Sequence, residues 1–374
     1  MDLAGLVEGM VRDGRFSTVV NNPLAQFGTA RRRYLGAEIL PERLRPENKY
    51  REEDVAYRTF VANSATRYSP VQLKGGALVG SMEVELAESD TGDQLTGSDY
   101  EAVVRLIERA SNGGGNRPEL EAITQILRWS DATLNLPLIE LNEVQRWQAL
   151  VNAQIIRTGD EGYREVVNFS APTGHRPNAL GAWSNNAVDP MADLSAAKTF
   201  LSGKGYTITR IIAGTPVIAK LQANALMRNR VGVISVQAGS VIGQPGILDI
   251  NSLNNIMTAN DLPPIEKYDL TYRMQSASGG TQTHFLPRDV MVLVCETGRD
   301  QTIEIQGDEP LLVQNTLGYV GVGRAVGQTQ PGRVIPAPRV FQNTKPPRIE
   351  GEAWQTAFPV IQDPEAVYVI KAIT

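Results

Sequence analysis

Cysteine and histidine are almost missing from this chain, which has one cysteine and two histidines in 374 residues. A single thiol excludes any disulfide framework within the chain. Two histidines, His175 and His284, are too few for a multi-histidine metal site and leave little from which to build a nucleophile–histidine triad. A basic surplus is missing as well. Lysine and arginine total 36 against 41 aspartates and glutamates, a formal net charge of −5, so a general electrostatic grip on nucleic acid is not supported. No window reaches the roughly 18 consecutive apolar residues of a membrane span. Asp2, Glu8, Arg12 and Asp13 interrupt the N-terminus too often for a signal peptide. These absences predict a soluble protein that stays inside the cell that makes it and touches no membrane.

What is present is an ordinary folded composition, 42% hydrophobic and 21% charged, with length enough for one large or two to three coupled domains. Residues 1–50 carry little continuous periodicity and read equally as an arm laid on other surfaces or as an ordinary frayed terminus. Around 71–86, two strand-like pieces flank glycines, and the second alternates cleanly, with Met82, Val84 and Leu86 opposite Ser81, Glu83 and Glu85. The polar run Ser89–Asp93 follows, which suggests a long projecting hairpin.

The helical centre spans 98–158. Ser98 and Glu101 make a capping box for a helix to about Ala110. Pro118 suits the first turn of the next helix, along which Ile123, Ile126, Leu127 and Leu134 recur at helical spacing. Pro137 should kink or split it, after which Leu141, Val144, Trp147 or Gln148, Val151 and Ile155 resume the stripe towards Gly159. If continuous, this run is on the order of 60 Å long, the dimension of a strut. Beyond it the spacing predicts a strand at 163–169, a helix from Asp193 to Leu201, a strand from Thr209 and a helix from Pro216 to Arg228. Residues 231–261 are ambiguous. Strands are then predicted at 265–273, 290–295, 353–361 and 366–372, with a turn at 276–281.

Chemistry is harder to find. His175 and His284 sit in turn-rich polar stretches and read as surface residues, while Cys295, inside Val290–Cys295, reads as an inert core thiol. Gly321, Gly323 and Gly327 resemble a dinucleotide fingerprint, but the last glycine falls one residue late. The following Gln328–Gly332 cannot open the helix that motif needs. Gly203-Lys204-Gly205 lacks the rest of a phosphate loop. Acidic clusters have no histidine or carboxylate partners at metal-ligand spacing. No catalytic residue, cofactor or metal is therefore expected, and the chain is read as a non-enzyme. The one concentrated basic run, Arg31-Arg32-Arg33, pairs more readily with an acidic neighbour in an assembly than with nucleic acid in so acidic a chain.

The order of elements carries a resemblance. Arg157-Thr158-Gly159 leading into 163–169, Asp193–Ala197 followed by Ile211-Ile212 and 216–228, His284-Phe285-Leu286-Pro287 before Val290–Leu293, and Trp354–Val360 turning at Asp363-Pro364 towards Val369 together resemble the lambda-type major capsid proteins of tailed phages. The shell-subunit fold of that family is shared with herpesvirus capsids and encapsulins. The likeness covers most of 60–372 and rests on order and spacing. It implies an α+β fold with an N-terminal arm (1–55), an extended hairpin loop (56–98), a peripheral domain with a long spine helix (99–189 and 333–374) and an axial domain (190–332). It further implies self-assembly into pentamers and hexamers as an icosahedral shell around packaged double-stranded DNA held without sequence-specific binding. The expected partners are other copies of the chain and portal, scaffolding or decoration proteins, and the expected location is the virion, after synthesis in the host cytoplasm. On this reading Arg31, Arg32, Arg33, Lys74, Glu83 and Glu85 are candidate intersubunit contacts, and the 236–262 segment is a candidate for contacts at the capsomer axis. The alternatives are an encapsulin-type container, a tail or baseplate protein, and an α/β enzyme.

Overall fold

The computed structural model of the chain describes residues 3–13, 32–45, 49–51, 56–57, 77–78, 83–85, 88–112, 116–158, 164–169, 172–231, 233–237, 240–244, 248–274, 280–296, 301–303, 311–313 and 317–372. Leu3, Leu6, Val7 and Met10 lie three and four residues apart, so one face of a helix collects them. Leu3–Arg12 is that helix, and the four side chains are buried against Leu95, Tyr100, Val103, Ile107, Ile123 and Leu127. The rest of the described N-terminal segment is also laid on its own chain. The short helix Leu35–Ile39 packs beside Trp147 and Leu150, and Glu42–Leu44 joins a sheet edge.

A helix over Gly97–Ser111 follows the strand Glu88–Thr96 directly. The expected capping box is not used: Thr96 is the N-cap, and its side chain makes no capping bond. Gly97 at φ +62° turns the strand straight into the helix, which leaves Ser98 already inside the first turn. The strut then runs from 116 to 152 as Asn116–Ser130, a π-helical turn Asp131–Asn135, and Leu136–Asn152, about 55 Å at ~1.5 Å per residue. The Leu136 amide bonds back to the Asp131 carbonyl, five residues away. That widened turn takes up the missing donor of Pro137 without ending the helix. The strut stops at Ala153, in left-handed backbone at φ 49°, earlier than the periodicity predicts. Gln154–Thr158 is instead a strand paired with Arg164–Asn168. Ile155, read as the last helical rung, enters a core with Phe358 and Tyr319 from that strand.

Two sheets flank the strut. In the first, Gly318–Val322 and Arg348–Ile361 run antiparallel, Glu42–Leu44 lies parallel on the outer side of Gly318–Val322, and Arg339–Phe341 and Glu88–Thr96 pair along the long strand. Gly318–Val322 is a fully buried strand, so the glycine run there is strand and turn, as its spacing requires. In the second sheet the order is Ile265–Lys267, Thr207–Ala213, Val290–Glu296, Val367–Lys371. The apolar run Val290–Cys295 is wholly buried at its centre, as an unbroken hydrophobic strand should be.

Helices Pro190–Gly203, Thr215–Ala223 and Ile250–Ala259 contribute to the core around this second sheet. The single helix expected over 216–228 is split at Asn224. Its carboxamide oxygen caps Ala225–Asn229 through the Leu226 and Met227 amides, and its nitrogen donates to the carbonyls of Trp183, Asn185 and Val188. The ambiguous 231–261 stretch holds a two-stranded ribbon, Val233–Gln237 with Ser240–Gln244, and the helix Ile250–Ala259 capped by Asp249. The strand expected over 265–273 is interrupted after Lys267 and resumes at Thr271, because Tyr268 turns into the core to meet the strut. Most of the expected 276–281 turn lies outside the described residues.

Candidate assembly surfaces

The strut is polar where it is most deeply buried. Glu143 is wholly buried and accepts from the Gly36 amide at 2.9 Å, Trp147 Nε1 at 2.8 Å and the Tyr268 hydroxyl at 2.7 Å, while Arg146 Nη1 lies 3.4 Å away. One carboxylate thus ties together the N-terminal segment, the strut and the second sheet. Tyr268 also stacks on Trp147, with ring centroids 5.1 Å apart. Burial and the Glu143 carboxylate both push its phenol upward in pKa. Arg146 donates to the Leu40 carbonyl at 2.9 Å and meets Glu42, which also accepts from Asn142 and pairs with Arg333. Burial raises the Glu42 carboxyl, but the guanidiniums of Arg333 and Arg146 outweigh it and hold the group below the usual carboxylate range.

These contacts bear on the predicted assembly residues. Arg32 donates to Glu140 at 2.7 Å, and Arg33 forms a bidentate pair with Glu38 and lies 3.6 Å from Glu266. Arg210 closes that group by pairing with both Glu38 and Glu266. Arg32 and Arg33 therefore already have partners within their own chain. Arg31 and Lys74 lie outside the described residues. Glu83 and Glu85 occupy the strand Glu83–Glu85, opposite Arg51 and Lys49 respectively. Farther along, Ala56-Tyr57 pairs with Ala77-Leu78. Residues 49–51 and 56–57 thus pair antiparallel with 83–85 and 77–78. Of the two pieces read at 71–86, only 77–78 and 83–85 lie among the described residues.

Six of the eight sheets among the described residues are two-stranded ribbons. On the ribbon that follows the strut, Ile155 and Val167 face the core, while the cross-strand pair Ile156 and Val166 faces outward, each 40% exposed. Leu44, Leu180 and Val326 are more exposed still; scattered single apolar side chains are normal on a protein surface.

His175 overturns its surface reading, because it is fully buried among Phe200, Tyr368 and the Val367 carbonyl. The loop that carries it is pinned along the strand Val367–Lys371, which local composition does not reveal. Cys295 is buried, as its apolar run predicts. No group of metal-ligating side chains occurs among the described residues, and no helix among them is long and apolar enough to cross a membrane. The buried Glu143–Arg146–Glu42–Arg333 network escaped sequence reading. The one available signal is that Leu136–Asn152 is weakly amphipathic, as expected of a helix surrounded by protein on most sides.

A family profile described as phage major capsid protein E matches residues 108–307. Among solved structures, the chain is similar to a protein assigned as a prophage capsid protein of Escherichia coli CFT073, at 14% identity and TM-score 0.55, covering 97% of this chain and 98% of that one. It is also similar to a phage-related protein of Bordetella bronchiseptica RB50, at 12% identity and TM-score 0.51, covering 92% and 94% of the two chains. Comparison with curated protein sequences gives no match. The α+β capsid fold implied by the order of elements is the fold of the molecule.

Proposed function

The chain belongs to the phage major capsid protein E family, and from that premise we propose that it is the repeating subunit of an icosahedral phage head, assembling into pentamers and hexamers around packaged double-stranded DNA. The family and the fold are those of structural, shell-forming proteins. The finer statements are our reading. The subunit is made in the host cytoplasm and ends in the virion, where portal, scaffolding or decoration proteins are its further partners. DNA is enclosed without sequence-specific contact, in keeping with a net charge of −5.

The observation that carries this reading is the set of six two-stranded ribbons outside the two larger sheets among the described residues. An isolated two-stranded ribbon is at best marginally stable in water, so a ribbon with a face that its own chain leaves open would gain stability by packing on a neighbouring subunit. The hairpin in which 49–51 and 56–57 pair with 83–85 and 77–78 is the foremost of these ribbons. Arg31, Arg32, Arg33, Lys74, Glu83 and Glu85 remain the proposed charged contacts. For Arg32 and Arg33 an intersubunit role requires sharing them with Glu140 and Glu38. The proposed division is arm 1–55, loop 56–98, peripheral domain 99–189 with 333–374, and axial domain 190–332.

Electron microscopy of the purified full chain, alone and co-expressed with its neighbouring head genes, tests the assignment. Closed shells, or rings of five or six subunits, are expected. Only monomers or dimers under both conditions would overturn it, and stacked tubes would move the chain to a tail. Deleting 71–86 is expected to leave a folded subunit that forms no shells; intact particles from that deletion would refute the role given to the hairpin.

A further inference from the structure

Residues 172–179 connect the end of the strut to the strand Val367–Lys371, which closes the second sheet. On one side, Arg176 donates from Nε to the Val151 carbonyl at 2.9 Å and from Nη2 to that of Leu150 at 3.3 Å, capping the last turn of the strut. On the other, the segment lies along the closing strand. The Val369 amide donates to the His175 carbonyl at 2.9 Å, Lys371 to Pro177 at 3.1 Å, and Ala179 to Lys371 at 3.0 Å. His175 stands at the start of this ladder. It is fully buried, edge-on to Phe200 at 5.0 Å between centroids and 6.0 Å from Tyr368.

The partners of the ring favour one protonation state. Nδ1 lies 3.1 Å from the Val367 carbonyl oxygen, which can only accept, so Nδ1 carries the hydrogen. An ammonium can only donate, so Lys204 Nζ, 2.9 Å from Nε2, makes that nitrogen the acceptor. The imidazole is bound as the neutral tautomer, with an ammonium group on the nitrogen that would take up a proton.

We propose that His175 is a proton-sensitive latch: neutral, it holds the strut end against the closing strand, and protonated at Nε2 it releases residues 172–179 from that strand. Protonation replaces the Lys204 hydrogen bond by two cations at contact distance. The charged and titratable groups around the ring are Lys204 from the end of Pro190–Gly203, Arg176 from its own segment, Glu365 from the turn Pro364–Ala366, and Tyr368 from the closing strand. Glu365 would favour the imidazolium, but it lies 3.5 Å from Lys204 and is engaged there. Burial first, together with Lys204 and Arg176, keeps the imidazole below its ordinary value of 6.5, against the Val367 carbonyl and Glu365. The fold thus prefers the neutral form, so the latch is fully held above that ordinary value and is lost as pH falls below it. The consequence is a subunit whose strut and second sheet uncouple in acid, a property of the single chain that does not depend on how many copies assemble.

Hydrogen exchange on the full chain tests this, read on the amides of Val369 and Lys371 with labelling times scaled to the intrinsic rate at each pH. Between about pH 7.5 and about pH 5 their protection is expected to fall about tenfold in the wild type. It is expected to stay level in His175→Gln, whose carboxamide can donate to Val367 and accept from Lys204 without taking up a proton. Lys204→Met supplies a second reading should the glutamine variant fail to fold. It removes the cation that opposes the imidazolium and is expected to lessen the acid-driven loss of protection. Protection in the wild type that does not change with pH, or a loss as large as the wild type's in His175→Gln or in Lys204→Met, would each overturn the proposal.

Discussion

The amide of Gly36 donates to Glu143 Oε1 at 2.9 Å, and a methyl group placed on Gly36 would lie 2.7 Å from that same oxygen. The N-terminal segment therefore reaches the strut at a point where only a glycine fits. Gly36→Ala must displace a carboxylate that also serves Trp147, Tyr268 and Arg146, at a cost of about 1–3 kcal/mol. Glu143→Ala leaves the buried Arg146 without that carboxylate and should cost about 3–5 kcal/mol. Urea unfolding of the two variants, followed by tryptophan fluorescence because Trp147 touches the site, should rank them in that order.

Two other glycines should respond in opposite directions. A Cβ on Gly318 would fall 2.1 Å from the Val360 carbonyl oxygen and 3.0 Å from Ile361 Cα, both backbone atoms that cannot swing aside. Gly318→Ala is expected at the upper end of ~1–3 kcal/mol destabilising. Gly203, the last residue of its helix, has nothing within 4 Å of the same position and no left-handed backbone. Gly203→Ala should stabilise by ~0.4–1 kcal/mol through the unfolded chain. The difference in denaturation midpoint between the two variants checks both.

Burial, with a smaller push from Asp363, raises the Cys295 thiol to about 12. At neutral pH it is protonated and closed to alkylating reagents, so labelling of the native protein should track global unfolding. The folded state disfavours the thiolate. The thiol's contribution to stability is therefore intact below the ordinary value of 9.0 and is lost as pH rises from there towards 12. Thermal melts across that alkaline range should decline less steeply in Cys295→Ala than in the wild type.

Much of the architecture is legible in the residues themselves. The stripe Ile123, Ile126, Leu127, Leu134 and the run Val290–Cys295 are buried as their periodicities require. The Asp363-Pro364 turn forms, with the Asp363 carboxylate accepting the Glu365 amide. Element ends are less legible. Ser98 loses its capping role to Thr96 and Gly97, and Ile155 leaves the strut for a strand, because sheet pairing and a left-handed residue override local preference. Leu141 and Val144, taken as core-facing, are only half-buried, while Asn142, Glu143, Gln145 and Arg146 go inside. Hydrophobic pattern records where apolar groups can be hidden, and it does not record which polar groups find partners once they are hidden.

What the sequence by itself determined is the kind and order of most elements. A strut, a mixed lobe and returning strands follow from periodicity, which acts over short distances along the chain, and their order resembles that of a phage shell subunit. What only the tertiary structure decided is the set of long-range polar contacts. Gly36 meets Glu143 across 107 positions, Arg333 meets Asn135 across 198, and the buried ring of His175 meets Val367 across 192. Each holds because folding removes both partners from water to the same place. A buried polar group must find its complement there, and the chain's linear order does not show which groups will meet.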